Sequence, residues 1–177
     1  MKTKFYLIAL VLLSSLISSC SSDDELNYQS DFEKSKATWL GFKGFSNNSY
    51  KYVVLSGSVF LAYGWETTIT VSNGKIVQRY FKYTGNTESI PDNVPLEWTE
   101  GENEINTHQS GAAALTLDEI YNKAEKEWLI KRKDVTVYFE AKNNGLISSC
   151  GYVPKGCMDD CFSGIRIKSI DPYLIER

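Results

Sequence analysis

The chain has 177 residues, with 19 basic and 22 acidic side chains, a net charge of −3 and 42% hydrophobic residues. That is the length of one domain, and it can bury a core without needing disulfides. An acidic balance with no basic stripe excludes the electrostatic footprint of a nucleic-acid binder.

At the start, Lys2 and Lys4 flank the way into an apolar run from Phe5 to Leu13, and Leu16-Ile17-Ser18-Ser19-Cys20 follows a serine step. A basic start, a short apolar core and a small-residue cut site make a secretory signal peptide over residues 1–19. The apolar core is about half the length of a bilayer-spanning helix. The small residues ahead of Cys20 resemble a bacterial lipobox, in which cleavage before the cysteine goes with lipidation of its thiol. Several acyl chains on one cysteine anchor firmly, since each buried methylene contributes about 0.8 kcal/mol. Residues 20–29 then read as the lipidated cysteine and an acidic tether, because Ser21-Ser22-Asp23-Asp24-Glu25 cannot bury apolar surface. The same cluster resembles the export signal of surface-exposed lipoproteins in Bacteroidota. The expected location is the outer face of an outer membrane, with the periplasm-facing leaflet as the alternative. Loss of the leader removes two lysines and leaves 17 basic against 22 acidic residues, or −5.

Residues 30–177 read as a single α+β domain. Ser30-Asp31-Phe32-Glu33 fits a capping box, and Phe32, Trp39 and Leu40 share one face of the helix it would start. Gly41 and Gly44 suggest that this helix has frayed or ended by then. Tyr50, Tyr52 and Val54 alternate with Lys51 and Val53 as a strand, and Gly57, Ala62 and Gly64 mark a turn or bulge. Thr67 to Val71 is β-branched, and Asn73-Gly74 before Ile76 to Phe81 is the strongest hairpin signal in the chain. Residues 84–114 lose the pattern, with Trp98 the one large apolar side chain; so long a loop is functional or disordered. Thr116-Leu117-Asp118-Glu119 opens the clearest helix, with Leu117, Ile120, Tyr121, Ala124, Trp128 and Leu129 on one face and Lys131-Arg132-Lys133 closing it. Val135, Val137 and Phe139 form a half-buried strand that turns at Asn143-Asn144-Gly145 and continues through Leu146-Ile147. Ile165, Ile167 and Ile170 give the last strand. The expected fold is an antiparallel sheet of about five strands with two helices packed on one face.

Cys150, Cys157 and Cys161 remain past Cys20. An odd count in an exported chain implies one bridge and a spare thiol. Three pairings are open. The favoured one joins Cys150 to Cys161 across the base of a hairpin loop, leaving Cys157 free, a closure contributing roughly 2–3 kcal/mol.

The chain carries Trp39, Tyr50-Lys51-Tyr52, Ile69-Thr70-Val71-Ser72-Asn73-Gly74-Lys75-Ile76-Val77 and Leu115-Thr116-Leu117-Asp118-Glu119-Ile120-Tyr121. It continues with Val135-Thr136-Val137-Tyr138, Asn144-Gly145-Leu146-Ile147, Asp159-Asp160 and Gly164-Ile165-Arg166-Ile167. Over residues 31–170 this resembles a family of small Bacteroidota-type lipoprotein domains of unknown function. The resemblance implies no catalytic residues.

Candidate chemistry is sparse. His108 is the one histidine, and a loop is a poor place to hold a general base. Cys157-Met158-Asp159-Asp160-Cys161 lacks the paired steps of a zinc site, and the acidic loops do not fit a calcium template. No catalytic residue, metal ligand or cofactor is assigned. Trp65, Trp98 and Tyr80 are the candidate ligand contacts, since exposed aromatics supply rigid contact area. The chain reads as a surface-exposed lipoprotein acting as a binding or accessory module for a glycan, a peptide or an envelope protein. The alternatives are a structural subunit docking onto another envelope protein and, last, a carboxylate-dependent hydrolase.

Overall fold

A computed structural model describes residues 26–57 and 62–173. The leader, Cys20 and the acidic cluster at residues 23–25 lie outside the described residues. Among the described residues the fold is α+β, with two α-helices and one antiparallel sheet of seven strands in the order β4-β3-β2-β1-β7-β6-β5. The strands are β1 Tyr50–Gly57, β2 Tyr63–Ser72, β3 Lys75–Gly85, β4 Glu97–Gly101, β5 Val135–Glu140, β6 Ser149–Pro154 and β7 Ser163–Pro172. Helix α1 spans Gln29–Phe45 and α2 spans Leu117–Lys123, continuing as a π-helical turn over Ala124–Trp128. Among the described residues no helix is long and apolar enough to cross a membrane.

Period-two alternation builds the core as expected. Tyr50, Tyr52 and Val54 of β1, Ile69 and Val71 of β2, Val137 and Phe139 of β5, and Ile165, Ile167 and Ile170 of β7 are buried together. Phe32 and Trp39 of α1 and Leu117, Ile120, Tyr121, Ala124, Trp128 and Leu129 after Thr116 join them, so both helices cover one face of the sheet. Hydroxyls fix the helix layer. The Tyr50 hydroxyl accepts from Leu117 N at 2.8 Å and the Tyr52 hydroxyl donates to Leu115 O. Tyr121 shares a 2.8 Å hydrogen bond with Ser35 and accepts from Ile147 N. Trp39 Nε1 donates to Asp118 at 3.0 Å, tying α1 to α2. Thr116 caps α2 in a capping box with Glu119. The β2–β3 hairpin turns on Asn73 and Gly74, both at positive φ (49° and 79°), the type I′ geometry that Asn-Gly favours.

Several expectations need correction. Seven strands replace about five. β4 lies in the stretch read as a loop, because Glu97 to Gly101 buries a glutamate where the pattern calls for an apolar residue. β6 was hidden by its Gly151 and Pro154. Leu146 and Ile147 are buried but precede β6 and belong to no strand. α1 does not start from a Ser30 cap: Tyr28 occupies the cap in left-handed conformation with no side-chain capping bond, its hydroxyl donating instead to Val137 O. Its buried face carries Phe32, Ser35 and Trp39, while Leu40 is 61% exposed. It also runs through Gly41 and Gly44 to Phe45. The fold begins before residue 30, since Leu26 bridges Ile130.

The cysteines are arranged differently from the favoured pairing. Cys157 is bonded to Cys161, with Cα atoms 6.4 Å apart, and among the described residues Cys150 is the free thiol. Cys150 lies near the start of β6 opposite Ile165 with its side chain inside the core, whereas Cys157 and Cys161 are half-buried in the loop between β6 and β7. Burial pushes its thiol up to about 12.

Candidate functional site

The sheet forks at β7. The β1–β7 pairing runs from Tyr50↔Pro172 to Val54↔Ile167, and the other end of β7 pairs with β6 from Ser149↔Arg166 to Tyr152↔Ser163. β1 meanwhile runs on to Gly57 beside β2. A cleft of about 340 Å³ opens in this fork, floored by Val54, Ser56, Trp65 and Ile165 and walled by Leu115 and Trp128. Lys123 stands among its lining residues, and its ammonium is 2.8 Å from the Glu127 carboxylate. The volume falls in the range that holds small ligands, and two tryptophans with a few polar groups are the expected lining of such a site. A second cavity of about 440 Å³ runs along the β5 rim beside Tyr138, Glu140 and Arg166 and has no tryptophan. Phe162 lines both, with the Arg166 guanidinium 4.0 Å from its ring centroid.

Beyond the cleft, the helix-side face of β2, β3 and β4 is covered by the segment after β4. At its centre Arg79 and Glu100, cross-strand partners, form an ion pair at 3.0 Å with side-chain exposures of 3% and 0%. Arg79 also donates to the carbonyls of His108, Ser110 and Ala112. Glu100 accepts from the backbone N–H of Asn106 (2.8 Å) and of His108 (2.7 Å), from the Thr107 hydroxyl, and lies 3.1 Å from His108 Nδ1. Burial alone would raise the Glu100 carboxyl, but the His108 and Asn106 amides and the Arg79 guanidinium together hold it down at about 2. The pair is therefore a clasp. It closes residues 105–112 over the sheet as a strap, and every strong bond it makes is internal.

The three aromatic candidates are not brought together. Trp65 and Trp98 share the helix-side face of the sheet, linked through Phe81 at centroid distances of 6.0 and 5.2 Å. Trp98 is spent there: His108 stacks on it at 4.2 Å and 5°, Arg79 lies 4.7 Å from its centroid, and its Nε1 donates to Ser110. Tyr80 points to the opposite face, where its hydroxyl bonds Glu97, which raises its pKa. That face is laced with charge pairs such as Lys168–Glu66 at 2.7 Å. Trp65 alone lines the cleft. Trp128, read from the sequence as core, is its partner there; helical periodicity cannot tell a core wall from a cleft wall. His108 is not on a loose loop, as expected, but is clasped by Glu100. Among the described residues there is no group of three or more His, Cys, Asp or Glu side chains that could hold a metal ion.

Compared with protein-family models, curated proteins and solved structures, the chain finds no match in any of the three.

Proposed function

We propose that this chain is an envelope lipoprotein anchored through Cys20, displayed on the outer face of the outer membrane, whose folded domain is a non-catalytic binding or accessory module. Its likeness to small lipoprotein domains of Bacteroidota type is part of that reading. The observation that carries the binding role is the cleft in the β7 fork, where Trp65 and Trp128 converge beside Ser56 and Lys123. Two aromatic lining residues and a sparse polar rim suit the apolar face of a sugar or an aromatic or aliphatic peptide side chain. The histidine and the buried carboxylate, which a hydrolase would need, are engaged instead in holding the strap.

A thermal-shift screen of the protein against a glycan panel and short peptides tests the reading. A ligand confined to the folded state and present at a hundred times its dissociation constant adds about 2.7 kcal/mol. A hit whose shift disappears in Trp65→Ala, with the unliganded fold intact, supports the cleft. Hits unaffected by Trp65→Ala, or a flat screen, count against it.

A further inference from the structure

The cleft in the fork is lined by consecutive strand residues, Val54, Leu55 and Ser56 of β1 and Gly164, Ile165 and Arg166 of β7. Successive side chains of a strand point to opposite faces of its sheet, so a groove lying on one face meets every second residue. A cavity that meets three in a row on both strands lies between their edges. The pairing agrees. β1 and β7 are partners from Tyr50↔Pro172 to Val54↔Ile167, and a bulge that skips Lys168 comes just before they part. Bulges bend a strand and increase its local twist. Past that point, among the described residues, Leu55, Ser56 and Gly57 pair only with β2, and Ser163, Gly164 and Ile165 only with β6. Two open edges therefore face one cleft inside the sheet, over three residues or about 10 Å. Each presents backbone N–H and C=O groups with no strand to receive them.

The side chains say what such a strand would carry. On the helix side the cleft has Trp65, Trp128 and Ile165. On the opposite face it has Leu55 and Arg166; the residues on either side of Arg166, Ile165 and Ile167, are in the core. The Arg166 guanidinium rests 4.0 Å from the Phe162 ring centroid. Among the described residues no carboxylate pairs with it, although Asp159 and Asp160 line the adjoining cavity. Lys123, the other charged residue lining the cleft, is also a cation.

We propose that the fork takes an extended peptide segment of a partner protein as an inserted strand. An apolar side chain of that segment lies against Trp65 and Trp128, and an acidic residue next to it in sequence meets Arg166 on the other face. This rests on the binding role proposed for the cleft and narrows its ligand to peptide. Because β1 and β7 are antiparallel, the inserted strand is antiparallel to one edge and parallel to the other. Its successive residues then bond to opposite edges, whereas a strand added to an outer edge of the sheet, at β4 or β5, would use only every second residue.

Selection from a random heptapeptide library on the whole protein in detergent micelles, followed by calorimetry on the enriched peptides, tests this. Enriched sequences should carry an apolar residue beside an acidic one. N-methylation of either of two successive amides at that step should weaken binding about tenfold, the loss of about one hydrogen bond. Arg166→Gln should cost about tenfold for the acidic peptide and nothing for its amide counterpart. Enriched peptides without the acidic residue, or sensitivity at only one of the two amides, would overturn the proposal. Glycan hits that depend on Trp65, with no peptide enriched, would overturn it and leave the cleft's binding role standing. The absence of any ligand that depends on Trp65 would end both.

Discussion

Glu100→Gln tests the clasp that closes the strap. The substitution is nearly isosteric but removes the charge opposite Arg79 and turns one acceptor oxygen into an N–H₂ facing other donors. Glu100 is fully buried and takes its bonds from Arg79, Asn106, Thr107 and His108. Removing one member of such a pair costs about 3–5 kcal/mol, because the other charge stays buried without a partner. The titration gives a similar magnitude. The carboxyl is held at about 2 against an ordinary 4.5, a difference of about 3 kcal/mol between its folded and unfolded states. A folded-state value below the unfolded one means that this stability is fully present above about pH 5 and is lost as the pH falls toward 2. Urea denaturation of both proteins from pH 7 down to pH 2 measures it. The gap between wild type and Glu100→Gln should be about 3 kcal/mol at pH 7 and shrink across the acid range, while carboxylates common to both cancel in the difference. A gap under 1 kcal/mol at neutral pH, or one that stays constant down to pH 2, would refute the reasoning.

Other parts of the account are open to equally direct checks. Alkylation of the native, unreduced protein should label none of Cys150, Cys157 and Cys161, and unfolding without reductant should expose Cys150 alone; a label on Cys157 would restore the Cys150–Cys161 pairing. Tyr121→Phe removes the hydroxyl that serves Ser35 and Ile147 and should lower stability by about 1–2 kcal/mol in urea, with the m-value unchanged. Gly164→Ala places a Cβ 2.1 Å from Cys150 O and 2.5 Å from Gly151 Cα. Neither atom can swing aside, so a loss of about 3 kcal/mol, the upper end for overpacking, is expected in thermal melts.

The helices and most strands are legible because their residues follow a period. Thr116 with Glu119, the stripe from Leu117 to Leu129, the alternation of Tyr50, Tyr52 and Val54, and Asn73-Gly74 each combine local chemistry with burial. What the sequence conceals is where burial is polar or where backbones crowd. β4 presents Trp98 and Glu100 inward, and no alternation rule expects a glutamate with 0% side-chain exposure. Its pairing with Arg79 is decided by the β3–β4 register, 21 residues apart in sequence. β6 carries Gly151 because Gly164 of β7 approaches it closely, and that residue reads as a breaker when seen alone. The cleft is hidden for a different reason: Trp65 and Trp128 meet through the fork of β7, a feature of topology that neither tryptophan's neighbours announce.

The four tryptophans offer the most direct measurement of the binding claim. Trp39, Trp65, Trp98 and Trp128 each give one indole N–H signal in a heteronuclear NMR spectrum, assignable by single substitutions. Trp39 Nε1 is bonded to Asp118 and Trp98 Nε1 to Ser110, away from the cleft. Titration with a ligand found by thermal shift should move the Trp65 and Trp128 signals and leave those of Trp39 and Trp98 in place. Movement of Trp98 without Trp65 and Trp128, or binding that shifts none of the four, would contradict the placement of the site in the β7 fork.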